Sequence, residues 1–182
     1  MPETNVTHRM LAADFLTQSY RVVGKMMVPN TGVVGLINDP TTSFMEVVDA
    51  KLARIHMPTK LVGEYKMIDL VKENVFAICL TRREDMGPQA LARGGYQNFV
   101  EYSIRVTTQV YELEGKLEWA GRFNFATIMM EGAGDFVPIY DATLTAILIP
   151  QLRIESPAIL FNRRQVDLLG LASEKKESPS IA

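Results

Sequence analysis

Three short blocks of this chain occur twice, in the same order. Thr17–Met26 returns as Thr108–Leu117 with five identities in ten positions. Phe44–Ile55 returns as Phe136–Ile147 with five in twelve, and Ala77–Glu84 returns as Ala158–Gln165 with four in eight. Blocks that recur in order mark a repeated unit, and a repeat restricts the available folds more than composition does. The chain has 182 residues, so each copy is roughly 75 residues long, a size with a marginal core of its own. The two copies are therefore expected to pack on each other.

Residue usage within the blocks points to β structure. Short runs rich in Val, Ile, Tyr, Phe and Thr alternate with turn clusters such as Pro29-Asn30-Thr31-Gly32 and Glu131-Gly132-Ala133-Gly134-Asp135. In the Asp-Ala block, Phe44, Val48, Ala50 and Leu52 share one parity, as do Phe136, Tyr140, Ala142 and Leu144. On a strand those residues line one face. The expected fold is mainly β: two duplicated small barrel-like or sandwich-like units related by a pseudo-twofold. The alternative is an α+β fold with helices at 8–15 and 123–130. The expected organisation is an N-terminal arm (1–16), a first β unit (17–84), a linker (85–100), a second β unit (101–172) and a disordered tail (173–182). The Asp-Ala block and the double arginine stand further apart in the first copy, which implies an insertion around 56–74.

The totals narrow the function classes. With 19 basic and 21 acidic residues the net charge is −2, so no global positive field recruits nucleic acid or an anionic membrane. Apolar residues make up 47% of the chain, ordinary for a globular protein. Ten methionines suggest an adaptable core. Cys79, the only cysteine, has no partner for an internal disulfide and sits in an apolar run. Met1–Asn5 lacks the apolar core of a signal peptide, and no apolar run is long enough for a bilayer span. A cytoplasmic location is the expectation.

No constellation of residues announces catalysis. His8 and His56 are far apart, and neither has a second metal ligand at a useful spacing. Gly24-Lys25 lacks the glycines of a phosphate loop, and Gly132-Ala133-Gly134 lacks the third glycine of a dinucleotide fingerprint. Ser43 and Cys79 have no nucleophile elbow around them. Catalytic residues, metal sites and cofactors are therefore all expected to be none. Trp119 reads as an interface or core ring.

Two recurring sets of polar residues remain. Asp49 and Asp141 interrupt apolar strands at equivalent places. They are expected to be structural acids, each bonded within its own unit to a turn or to the recurring arginines, since buried acids need such partners. On that reading Asp141→Asn costs on the order of 1–3 kcal/mol. Arg82, Arg83, Arg163 and Arg164 form two matched pairs. Their guanidinium forks suit a small anion or a nucleotide, and they are the candidate ligand-binding residues.

The order Gly-Lys, then Phe-x-x-apolar-x-Asp-Ala, then an apolar-Asn/Thr-Arg-Arg close resembles small bacterial β-rich domains of unknown function. Phe44–Leu52 with Ala77–Arg83 carries the likeness once, and Phe136–Leu144 with Pro157–Arg164 carries it again. The likeness spans about two thirds of the chain, implies a β-rich fold and brings no catalytic residues. A looser likeness to the Sm-like barrel rests on an Asp-containing strand after a Gly-centred one; the glycine signature of its closing strand pair is missing. The double arginines also lack the Asp/Asn-x-Ser-x-x-Gly element of PilZ domains. Together these readings make the chain a non-enzymatic scaffold for interaction or assembly, with itself or another protein as partner. An anion- or nucleotide-binding module is the alternative. In the apolar run Ala146–Pro150, Ile147 and Ile149 would face away from Ala146 and Leu148 on a strand, and that second face needs cover from the other copy of the unit or from another chain.

Overall fold

A computed structural model describes residues 7–87, 99–131 and 134–172. The chain is mainly β. The described residues form ten strands, β1 (His8–Thr17), β2 (Tyr20–Pro29), β3 (Phe44–Arg54), β4 (Leu61–Val71), β5 (Val75–Leu80), β6 (Phe99–Thr108), β7 (Tyr111–Ala120), β8 (Phe136–Ala146), β9 (Arg153–Asn162) and β10 (Val166–Leu171). Among the described residues one short α-helix, α1 (Val33–Ile37), a π-helical turn at Thr127–Glu131 and 3-10 turns at Lys72–Asn74, Arg83–Met86 and Arg163–Gln165 interrupt them. No helix of the described residues is long and apolar enough to cross a membrane.

All ten strands join one antiparallel sheet in the order β10-β6-β7-β8-β9-β5-β1-β2-β3-β4. Two separately closed barrels are therefore not what forms. The sheet is open, with β10 and β4 at its ends. At its centre, β5 and β9 are buried on both faces. Ile78 and Leu80 of β5 and Ala158 and Leu160 of β9 enter one core, while Ala77, Cys79, Ile159 and Phe161 enter the other. Alternate side chains of a strand point to opposite faces, so the two cores lie on opposite faces of the central pair.

The two halves run through the same ladders. Tyr20 faces Arg54 and Lys25 faces Val48 across β2–β3, with a shift between Val23 and Lys25; Tyr111 faces Ala146 and Lys116 faces Tyr140 across β7–β8, with a shift between Glu114 and Lys116. Phe44, Ala50 and Leu52 face Val71, Tyr65 and Gly63, while Phe136, Ala142 and Leu144 face Asn162, Ser156 and Ile154. Ala13 faces Leu80 as Ile104 faces Leu171. By register the counterpart of β9 is β4, and the counterpart of β10 is β5.

That register corrects the third sequence block. Ala77–Leu80 and Ala158–Phe161 are not equivalents but hydrogen-bonded neighbours. They look alike because both are central strands buried on two faces, which selects the same small and branched apolar residues. The turn at Arg163–Gln165 instead corresponds to that at Lys72–Asn74, since both lead out of matching strands. The connections after β3 and β8 have equal lengths, so residues 56–74 are not an insertion; most of that stretch is β4.

Other boundaries move too. His8–Phe15 is strand, not arm or helix: Leu11, Ala13 and Phe15 alternate into the core. The Leu-Ala-Ala run reads as helix by propensity, but pairing on both sides overrides it. Val33–Ile37 is helical despite its two valines, because Val33, Val34 and Ile37 cap the first core. Strand β8 ends at Ala146, so Ile147–Ile149 do not alternate on a strand; they form part of a loop with Leu148 exposed. The expected linker begins inside a packed turn, where Asp85 and Met86 are buried. Its residues 88–98, like the expected tail at 173–182, lie outside the described residues.

Candidate functional site

The first two recurring blocks build local devices. Thr17 Oγ1 accepts from Tyr20 N at 3.1 Å, and Thr108 Oγ1 accepts from Tyr111 N at 2.9 Å. Each threonine closes a two-residue hairpin. Asp49 and Asp141 sit at the register shifts, with φ of 51° and 45°. Aspartate tolerates this left-handed region better than most residues. The extra residue reverses strand parity: Met45 and Val47 point inward before it, and Ala50 after it. The single-face reading of Phe44, Val48, Ala50 and Leu52 fails for that reason. The recurring Gly-Lys lies across from the bulge. A Cβ on Gly24 would stand 2.4 Å from Val47 Cγ1, and one on Gly115 would stand 2.8 Å from Ala142 Cβ. Lys25 Nζ reaches Asp49 at 3.2 Å, and Lys116 Nζ reaches Asp141 at 3.3 Å. Both acids are thus exposed and paired with lysines, not buried against the arginines.

The four arginines divide. Arg82 contacts the buried Asp85 at 3.4 Å, and Arg9 binds the same carboxylate. Arg83 pairs with Glu118 and stacks 3.9 Å over the Tyr140 ring. Arg163 and Arg164 share Asp135, at 3.6 Å and 2.8 Å. Only this second pair lines the cleft of about 670 Å³ at one end of the β5–β9 joint. The cleft also holds Lys72, whose Nζ donates to Asp39 O at 3.0 Å and Thr42 Oγ1 at 2.7 Å. Burial pulls the Lys72 ammonium below its ordinary value, with Asp39 opposing. Hydrogen bonds from the Thr41 hydroxyl and then its N–H hold Asp39 below the usual carboxylate range. Lys72, Arg163 and Arg164 are matched by Asp39, Glu73 and Asp135, so the lining carries both signs in equal number. Lys72 carries no motif in the sequence; only the register reveals that it occupies the place of Arg163.

Beneath the cleft lies the β5–β9 joint. Four ladder pairs, Ala77↔Phe161, Ile78↔Leu160, Cys79↔Ile159 and Leu80↔Ala158, cross it. Buried polar side chains bond backbone across it. Ser156 Oγ donates to Leu80 O at 2.7 Å, Asn162 Nδ2 to Val75 O at 3.0 Å, and Tyr111 Oη to Thr17 O at 2.6 Å. Asn38 Nδ2 donates to Phe136 O at 3.0 Å while Phe136 N donates to Asn38 Oδ1 at 2.8 Å. Trp119 packs beside the second core. Among the described residues, no group of three or more His, Cys, Asp and Glu is placed to hold a metal ion. Comparison with protein-family models, curated proteins and solved structures finds no match to this chain.

Proposed function

We propose that the chain is two tandem copies of one five-stranded β unit, and that it serves as a non-enzymatic scaffold for protein assembly. The observation that carries this reading is the β5–β9 joint, where one half binds the other by edge-strand pairing, buried side chains and cross-joint hydrogen bonds. The matched ladders support the duplication. The pseudo-twofold of the sequence reading is replaced by a head-to-tail relation: a twofold through the joint would pair like strands, whereas β5 meets the counterpart of β4. The unit therefore has two different, mutually complementary edges. Sedimentation velocity on the full chain tests the assembly role. The expected result is a species heavier than the monomer, and a monomer at every concentration overturns it.

A second reading, binding of a small anion or nucleotide, keeps support from Arg163 alone of the two pairs. Its Nη1 is buried with no hydrogen-bond partner among the described residues, beside the cleft. Titration calorimetry with inorganic phosphate and with nucleotides tests it. Heat that Arg163→Lys abolishes supports it, and no heat removes it.

A further inference from the structure

We infer that copies of this chain associate head to tail, the β4 edge of one chain pairing with the β10 edge of the next in the manner of the internal joint. This rests on the assembly reading and deepens it by naming the partner, a second copy, and the surface.

The argument begins from strand equivalence. The joint is made by β9 and β5, and the two open ends of the sheet are their counterparts, β4 and β10. What the joint buries, the ends expose. Phe44 is 53% exposed and its counterpart Phe136 3%; Met67 is 56% exposed and Ala158 0%. At the other end, Leu168 is 53% exposed against 0% for Ala77, and Leu171 56% against 2% for Leu80. A long edge strand with exposed apolar side chains is a template for pairing. Here the complementary edge is already part of the same chain.

The chemistry of the outer joint differs in one respect. At the inner joint Arg83 bonds Glu118 and stacks on Tyr140. By register the places of Glu118 and Tyr140 are taken in the first half by Met27 and Val48, and those of Ser156 and Asn162 by Tyr65 and Val71. Met27, Tyr65 and Val71 are all exposed. The outer joint thus exchanges an ion pair and buried polar bonds for apolar contact, which suits association between chains. Because the two edges differ, the contact is heterologous. It propagates into a ring where the rotation closes and into a filament where it does not.

Register transfer specifies the pairs. Leu80↔Ala158 becomes Leu171 opposite Met67, and Ala77↔Phe161 becomes Leu168 opposite Leu70. These two pairs fall in the two alternating classes of an antiparallel ladder, so one of them offers a close approach. The test mixes full-length Met67→Cys with Leu171→Cys, and separately Leu70→Cys with Leu168→Cys, under mild oxidation. Met67, Leu168 and Leu171 are exposed and Leu70 is half-buried against the first core, so circular dichroism checks the fold of all four variants before mixing. Wild type, with only the buried Cys79, is the control. The expected result is a disulfide-linked pair in at least one mixture and none from any single variant alone, with a covalent ladder from the double variant that carries the cross-linking pair. Cross-linking of Met67→Cys or Leu171→Cys to itself signals like-with-like pairing and overturns the head-to-tail inference while leaving assembly intact. A heavier species with no cross-link in either mixture also overturns it. A monomer with no cross-link overturns both readings.

Discussion

Single residues here are chosen by backbone conformation as much as by contact. Asp49 and Asp141 occupy left-handed φ, and their ion pairs with Lys25 and Lys116 are exposed to solvent. Exposed pairs contribute little. The hydrogen bond from Lys116 to Asp141 raises the lysine further above its usual range, which leaves it charged at neutral pH in any case. Asp141→Asn, which keeps a side chain tolerant of that conformation, should therefore scarcely change the urea midpoint. Asp141→Val should lower stability by about 1–3 kcal/mol, because a branched side chain is strained at positive φ. Cys79 behaves differently. Burial pushes its thiol well up, with the Asp14 carboxylate adding to the effect and Arg21 opposing it. A group whose folded pKa is raised keeps its full contribution below the unfolded value and loses it as pH rises beyond that value. Wild type should thus lose more stability between pH 8 and pH 10.5 than Cys79→Val, measured by denaturant titration, and native Cys79 should resist alkylation.

At the scale of elements, the recurring residues describe a strand pair more than a strand. Gly24-Lys25 and Asp49-Ala50 lie far apart in sequence yet form one bulge, with the glycine admitting the extra residue and the lysine answering the aspartate. The same holds for Gly115-Lys116 and Asp141-Ala142. Gly115→Ala should destabilise by about 1–3 kcal/mol, since its Cβ would collide with Ala142 Cβ and with the Tyr140 carbonyl, which side-chain rotation cannot relieve. Thermal unfolding of Gly115→Ala beside Gly170→Ala gives the contrast, because a Cβ at Gly170 meets nothing closer than 3.9 Å. Equal losses at the two sites would remove the bulge argument.

Across the whole molecule, the β5–β9 joint couples the halves. The first core includes Phe136, Tyr140, Ala158 and Leu160 from the second half, and the second core includes Leu16, Phe76, Ala77 and Cys79 from the first. Neither core is complete without the other half. Urea unfolding should therefore be one cooperative transition, with the fluorescence of Trp119 in β7 and the far-ultraviolet dichroism of all ten strands coinciding. Tyr111→Phe removes a cross-joint hydrogen bond and leaves the Thr17 carbonyl without that donor. It should lower the midpoint of that single transition by an amount equivalent to roughly 0.5–1.5 kcal/mol, without splitting it.

The β class and the recurrence of the Gly-Lys and Asp-Ala blocks were legible because they are local or repeated, whereas the pairing of Asp49 with Lys25 and of Asp141 with Lys116 was not read. Turn chemistry and strand composition act over a few residues, and repetition doubles the signal. The sequence also left His8–Phe15 out of the β unit, in an arm or, in the alternative, a helix, because only the flanking strands β2 and β5 decide otherwise. The third block misled for a physical reason: β5 and β9 share an environment, buried on both faces, and a shared environment imitates shared descent. The arginines likewise looked like one set, yet Arg82 has a local partner three residues on, Asp85, while Glu118 and Asp135, the partners of Arg83 and of Arg163 and Arg164, come from distant segments that only folding brings near. Tertiary structure alone decided that unlike edges meet at the joint. Pairing between strands so far apart in the chain depends on register and on the burial of both faces, and neither is written in a local run of residues.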